Sequence, residues 1–418
     1  MIAAIVLTYA AFSGSLNRLL IGPAIFFVSC GLVVGDRGLG WIDLGVRSEP
    51  VRVLAEVTLT LVLFADASRI DVPALRREYT VPARLLGIGL PLTILAGWAI
   101  AAGLLPALNA GEALVLAIIL APTDAALGQA VVTDSRHPSR IRQGLNVESG
   151  LNDGICVPLL FIALAFTSAE THALTAHAAV TVVVKAIGYG LLFGVVSGIG
   201  GALLLRVARA HGLAGSPWKQ IVPVGTTALA YGLAVPLGGS GFIAAFAAGF
   251  AFGVVRRRAE AGEELLEELG GLANAITFIV FGATIVGSVL SGLTWRAAAY
   301  GVLSLTVIRM APVALAFLGT KARPSTLAFM GWFGPRGLAS IVFAVIVLDE
   351  GNLPHITTIE VAVVFTILAS VVAHGLSAAP LTARYASWYR AHPEDGRPMM
   401  EAVPAPDQRW RHRSAGPA

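Results

Sequence analysis

Apolar residues run through this chain in blocks of roughly 20, separated by short clusters of Pro, Gly and charge. A helix of about 20 residues crosses the hydrocarbon core of a bilayer, about 30 Å thick. The blocks lie near residues 1–17, 20–35, 51–68, 83–105, 111–133, 141–168, 176–205, 217–235, 239–255, 265–289, 295–318, 324–348 and 355–383, which predicts thirteen spans. Their length excludes a membrane β-barrel, whose strands alternate polar and apolar over about 10 residues. Of 418 residues 56% are hydrophobic and 13% charged, whereas a soluble domain carries about 25% charged residues.

Charge sets the orientation. With the C-terminus cytoplasmic, 22 of the 29 basic residues fall in inner loops and the tail, and only Arg37, Arg47 and Arg296 in outer loops. That bias follows the positive-inside rule, and thirteen spans then put the N-terminus outside. The net charge of +4 is explained by topology and does not point to nucleic acid. Met1 enters an apolar block without a basic leader, so no cleaved signal is expected, and the plasma or inner membrane is the expected location. Cys30 and Cys156 both lie inside apolar blocks and give no disulfide framework. After about Tyr385 the chain is polar and rich in Pro and Arg, which predicts a disordered cytoplasmic tail over 386–418. The cluster Glu260, Glu263, Glu264, Glu267 and Glu268 reads as the solvated start of an inner helix.

Two spans share an irregularity: Ala121-Pro122-Thr123-Asp124 in the fifth and Gly334-Pro335-Arg336-Gly337 in the twelfth. Each is fifth in a set of six when spans 1–6 (residues 1–168) and 8–13 (217–385) form repeats joined by a linking helix at 176–205. An odd number of spans separates the two starts, so the halves are inverted. A proline alone merely kinks many membrane helices. Two at matched positions, each beside a charge, point to an inverted-repeat secondary transporter with paired broken helices at the midplane.

An ionisable group deep in a span is costly and marks function by default. Asp124, Glu148, Asp153, Arg309 and Arg336 lie deep; Asp66 sits near an inner end, and Glu56, Lys185 and Glu360 near outer ends, where they can snorkel. In the sixth span Glu148 and Asn152 stack on one helix face, and Ser149 and Asp153 on its neighbour. The second face, with Thr123, Asp124 and a carbonyl freed at the break, offers oxygen ligands for a small alkali cation. Glu148 needs a countercharge, and Arg309, which cannot lose its proton, supplies a permanent one. Three deep acids face two deep arginines, so one acid is in excess and can exchange a proton for a cation. His374, in the last span, reads as a polar packing residue rather than a pH sensor, and His137 as a loop residue.

On these residues the chain resembles the monovalent cation:proton antiporter-1 family, the NhaP and NHE-like sodium/proton exchangers. The motifs are Pro122-Thr123-Asp124, Glu148-Ser149-x-x-Asn152-Asp153, Arg309-x-x-Pro312 and Gly334-Pro335-Arg336-Gly337, and the likeness covers residues 1 to about 385. It implies an all-α polytopic fold of the NhaA/NhaP kind, with two inverted six-helix repeats and crossed broken helices. It implies a homodimer in which spans 4–6 and 11–13 form a moving core. It implies that Asp153, Asp124, Thr123 and Ser149 bind Na+, Asp153 being the main proton carrier. Glu148, Asn152 and Arg309 would form a supporting network, with Arg336 needed at the crossover. Asn152 stands where electrogenic relatives carry a second aspartate, which implies electroneutral exchange of one Na+ or Li+ for one proton.

No cofactor is expected, and the partners are monovalent cations, protons and the lipid bilayer. A K+/H+ exchanger on the same scaffold stays open, since ligand placement is not fixed by motifs. A gated cation channel is a distant rival, lacking any filter-like repeat. A membrane-embedded hydrolase is more distant still: no deep histidine is placed by motif to activate Ser149, so an enzyme is not expected.

Overall fold

The computed structural model describes all residues except 19–21, 43–44, 46–47, 125–126, 128–135, 171–175, 214, 257–263, 351–352, 392–399 and 403–418. Most of the fifth block beyond Asp124, part of the acidic loop at 257–263 and most of the tail therefore lie outside the described residues.

Helix occupies every apolar block: α1 (Ile2–Arg18), α2 (Pro23–Val34), α3 (Glu49–Ser68), the short α4 (Val72–Arg77), α5 (Thr80–Leu104), α6 (Ala110–Ile119), α7 (Ser139–Glu170) and α8 (Ala176–Ala210). There follow α9 (Ser216–Ala234), α10 (Gly241–Val255), α11 (Glu264–Val286), α12 (Trp295–Leu305), α13 (Val307–Ala316), α14 (Pro324–Trp332), α15 (Leu338–Glu350) and α16 (Ile356–Ala391). Among the described residues no strand forms beyond an isolated bridge between Gly35 and Ile42. Among the described residues seven helical stretches are long and apolar enough to cross a membrane unaided, and α1, α2, α6, α10 and α15 are shorter apolar helices.

The distribution of side chains is that of a protein dissolved in lipid. On α8 the outward face is Val180, Val184, Leu192, Val196 and Leu204, all exposed, while Glu148, Arg309 and Arg336 are buried. Lipid gives apolar helices no reason to associate, so contact relies on small residues that let backbones approach. A Cβ at Gly194 or Gly198 of α8 would collide with the backbone of Ala244 or Ala248 on α10. Gly249 and Gly253 of α10 meet the backbone of Phe64 and Ser68 on α3 in the same way.

Among the described residues three blocks are interrupted: that of α12 and α13 at Thr306 alone, and two more deeply, for a local reason. α6 opens with a capping box in which Asn109 Oδ1 accepts from the Glu112 amide at 2.8 Å and Glu112 Oε2 from the Asn109 amide at 3.0 Å. It closes at Ile119, three residues before Pro122, which has no N–H to continue the ladder. α14 closes at Trp332, and Phe333 to Gly337, centred on Pro335, have no regular structure before α15 begins.

The last helix differs from expectation. It continues to Ala391, because Tyr385 and Trp388 stack at 5.6 Å and extend the apolar surface. Further on, Met400–Ala402 form a single 3-10 turn in which Met400 and Glu401 are buried, where a disordered tail is expected. The acidic cluster differs too: Glu267 is engaged by Arg69 at the end of α3, the Arg69 Nε donating at 2.9 Å, and Arg69 also lies 3.6 Å from Asp66.

Candidate functional site

The two interrupted segments cross and bond to each other. The Asp124 amide donates to the Pro335 carbonyl at 2.8 Å. Breaking α6 leaves carbonyls without intrahelical partners, and these are taken across the crossing: Arg336 Nη1 donates to the Ala121 and Pro122 carbonyls, and Ser340 Oγ to the Ile119 carbonyl at 2.7 Å. Starting α15 leaves amides without partners, and Asp124 Oδ2 accepts from the Leu338 amide at 3.0 Å. The exchange is reciprocal and follows the helix dipoles: a cation at the C-terminal end of α6 and an anion at the N-terminal end of α15.

The glycines flanking Pro335 make the crossing possible. A Cβ on Gly337 would occupy the space of the Asp124 carboxylate, and one on Gly334 the space of the Arg309 guanidinium. A third anchor comes from α16. Ser370 Oγ accepts from the Arg336 amide at 2.7 Å, while His374 bonds Ser370 through Nδ1 and the Trp332 carbonyl, the last of α14, through Nε2 at 2.9 Å. His374 thus packs as a buried polar residue that helps hold the end of one half-helix.

α7 brings the remaining site residues. Arg309 donates to both oxygens of Glu148, Nη1 to Oε1 at 2.5 Å and Nη2 to Oε2 at 2.8 Å, and each residue is 1% exposed. The next residue, Ser149, donates its Oγ to the Thr123 carbonyl at 2.6 Å, and Asn152, one turn beyond Glu148, donates Nδ2 to Thr123 Oγ1 at 2.7 Å. The carbonyl freed at the break is therefore held by Ser149, and both α7 faces converge on Thr123. Asp153 follows Ser149 by one turn and is buried. All eight candidate residues, Thr123, Asp124, Glu148, Ser149, Asn152, Asp153, Arg309 and Arg336, come from the break of α6, from α7, from α13 or from the break before α15. Arg336 keeps Nε and Nη2 without a hydrogen-bond partner among the described residues.

The outer acids are placed apart from this site. Glu56 accepts from the Tyr231 hydroxyl at 2.9 Å, and Lys185 is exposed on α8. Ser340 and Ser370 are bonding partners of the crossing that the sequence reading did not single out. Only the i, i+4 pairing of Ser370 with His374 could have flagged them, because serines in apolar helices carry no charge signal. Among the described residues no group of three or more His, Cys, Asp or Glu side chains is placed to hold a resident metal.

A polytopic helical protein that buries acids and fixed cations where two broken helices cross belongs to the class of secondary ion carriers. Residues 2–384 match the family described as sodium/hydrogen exchanger, transmembrane, and the chain belongs to that family, one of transporters. It is 24% identical over 402 residues to a Na(+)/H(+) antiporter of Schizosaccharomyces pombe, covering 86% of this chain and 84% of that protein. It is 26% identical over 365 residues to a K(+)/H(+) antiporter NhaP2 of Shewanella sp. (strain MR-4), covering 86% of this chain and 62% of the relative's length. The fold is similar to that of the sodium proton antiporter MjNhaP1 from Methanocaldococcus jannaschii, with a TM-score of 0.72 at 20% identity over 90% of this chain and 97% of that one.

Proposed function

We propose that this chain exchanges one Na+ or Li+ for one proton by alternating access, the two competing for Asp153 with Asp124, Thr123 and Ser149 beside it. The observation that supports this reading is the meeting of Thr123, Asp124 and Ser149 at the crossing of two broken helices, with buried Asp153 one turn beyond Ser149 and Glu148 locked to Arg309. Charge supports the stoichiometry. Ionised Asp124, Asp153 and Glu148 against Arg309 and Arg336 sum to one negative charge, which one cation or one proton neutralises. A neutral loaded core crosses the apolar barrier more cheaply than a charged empty one, and that difference couples the two fluxes.

In this reading α1–α7 and α9–α16 hold two inverted repeats of six spans joined by α8, giving thirteen crossings. The helices of the site move as a core against a scaffold through which two copies pair. The N-terminus is outside and the C-terminus in the cytoplasm, in the plasma or inner membrane.

K+ is the alternative cargo, favoured by the similarity to the Shewanella K(+)/H(+) antiporter. Proteoliposomes carrying a pH dye, given Na+, Li+ or K+ in turn, decide between them. Proton movement with Na+ and Li+ that Asp153→Asn abolishes is the expected result. A response to K+ alone transfers the reading to potassium, and retained exchange in Asp153→Asn removes Asp153 as the carrier.

A further inference from the structure

The buried turn at Met400–Ala402 lies in none of the blocks that cross the membrane, yet it seats inside the bundle. The Met400 side chain joins an apolar cluster made by the neighbouring ends of α5, α7, α13, α14 and α16, with Leu85, Ile141, Val313, Phe329 and Tyr385 among its members. The Met400 carbonyl accepts from Arg140 Nη1 at 2.7 Å, and Arg140 Nη2 donates to Glu78 Oε1 at 2.8 Å. Glu401, 1% exposed, accepts from Thr326 Oγ1 at 2.9 Å, and Thr326 in turn bonds the Tyr385 hydroxyl at 3.0 Å.

The partners are informative. Arg140 is in the first turn of α7, and Glu148 and Ser149 of the site lie two turns further along the same helix. Thr326 is in the first turn of α14, whose far end is the break carrying Arg336. Arg323, the residue capping α14, offers no side-chain bond to its free amides, so the acidic Glu401 supplies the negative charge that a helix start favours. Every helix in this cluster is one assigned above to the moving core; none of α1–α3 or α8–α11 takes part.

We infer that Met400–Ala402 is an intramolecular strap that fastens the cytoplasmic ends of the site-bearing helices, so that the core travels as one body with the strap aboard. Glu401 and Thr326 are then positioning residues, acting on the site through α14. This rests on the exchange reading above and differs from a plug, which would have to bind across core and scaffold and let go before transport.

The test uses the full chain with Cys30→Ala and Cys156→Ala, carrying Thr326→Cys and Glu401→Cys, joined by a short thiol-reactive crosslinker that reductant cleaves. A strap that rides with the core predicts that the crosslink, standing in for the lost Thr326–Glu401 bond, gives exchange within about twofold of the chain that keeps both residues. Alongside it, a chain ending at residue 399 loses at least fivefold in maximal rate at unchanged half-saturating cation concentration. Glu401→Gln, which keeps the acceptor, retains the rate, and Glu401→Leu behaves as the truncation. Amide exchange at 139–149 and 324–333 quickens on truncation, and this readout judges the seating even in a chain that moves no cation. Arrest by the crosslink with recovery on reduction, or faster exchange after truncation, overturns the strap in favour of a plug. Unchanged rate and amide exchange after truncation overturn both.

Discussion

Thr123 serves two α7 residues at once, its hydroxyl accepting from Asn152 and its carbonyl from Ser149. Thr123→Val removes one acceptor and strands a buried amide, which costs about 1–3 kcal/mol; thermal unfolding in detergent should register the loss. The Glu148–Arg309 pair gives a sharper contrast. Glu148→Leu leaves a fully buried guanidinium unpaired, a loss of about 3–5 kcal/mol, while Glu148→Leu with Arg309→Met restores much of that stability. Asp153→Asn should behave oppositely, with little change in melting temperature and no exchange. The Glu148 pairing was legible in the sequence because a charge in lipid demands a partner and few candidates exist. Ser340 and Ser370 were not, since a serine in an apolar helix is cheap anywhere and its partner is known only once the chain is folded.

At the level of elements, each half-helix is completed by the other. α15 begins on a carboxylate that belongs to the α6 break, so Asp124→Ala should loosen its first turn by about 0.5–2 kcal/mol, while Asp124→Asn keeps an acceptor and most of the order. Amide exchange at residues 338–341 separates the two outcomes. His374→Leu removes one of the two bonds to the Trp332 carbonyl, which still accepts from the Gly334 amide at 2.8 Å, and should cost about 0.5–1.5 kcal/mol, with the loss appearing at the end of α14. The breaks themselves were legible, because Pro122 and Pro335 lie in otherwise uninterrupted apolar blocks. Their mutual bonding was not: hydropathy places each helix in the bilayer but is silent on which two meet. The buried turn at Met400–Ala402 was missed for a related reason, since three residues in a Pro- and Arg-rich segment give no periodic signal.

For the whole molecule, the helical class and the positions of the blocks follow from hydropathy alone, whereas the packing order depends on small-residue stripes that composition conceals. Gly198→Leu, at the closest approach of α8 and α10, should separate the two helices and lower the yield of folded protein in detergent, measured by size exclusion. Electroneutral exchange predicts that an imposed potential of about 100 mV leaves the sodium-driven proton flux unchanged; one uncompensated charge would add about 2.3 kcal/mol of drive. The bond from the Leu338 amide to Asp124 has a further consequence. A cation that takes this carboxylate as a ligand competes with the amide for the same oxygen. Under the proposed exchange, cargo that takes Asp124 Oδ2 is expected to weaken the bond to the Leu338 amide and loosen the opening turn of α15. Occupancy becomes readable at a single backbone position, so a titration of amide exchange at Leu338 against Na+ would count bound ions without any label on the ion.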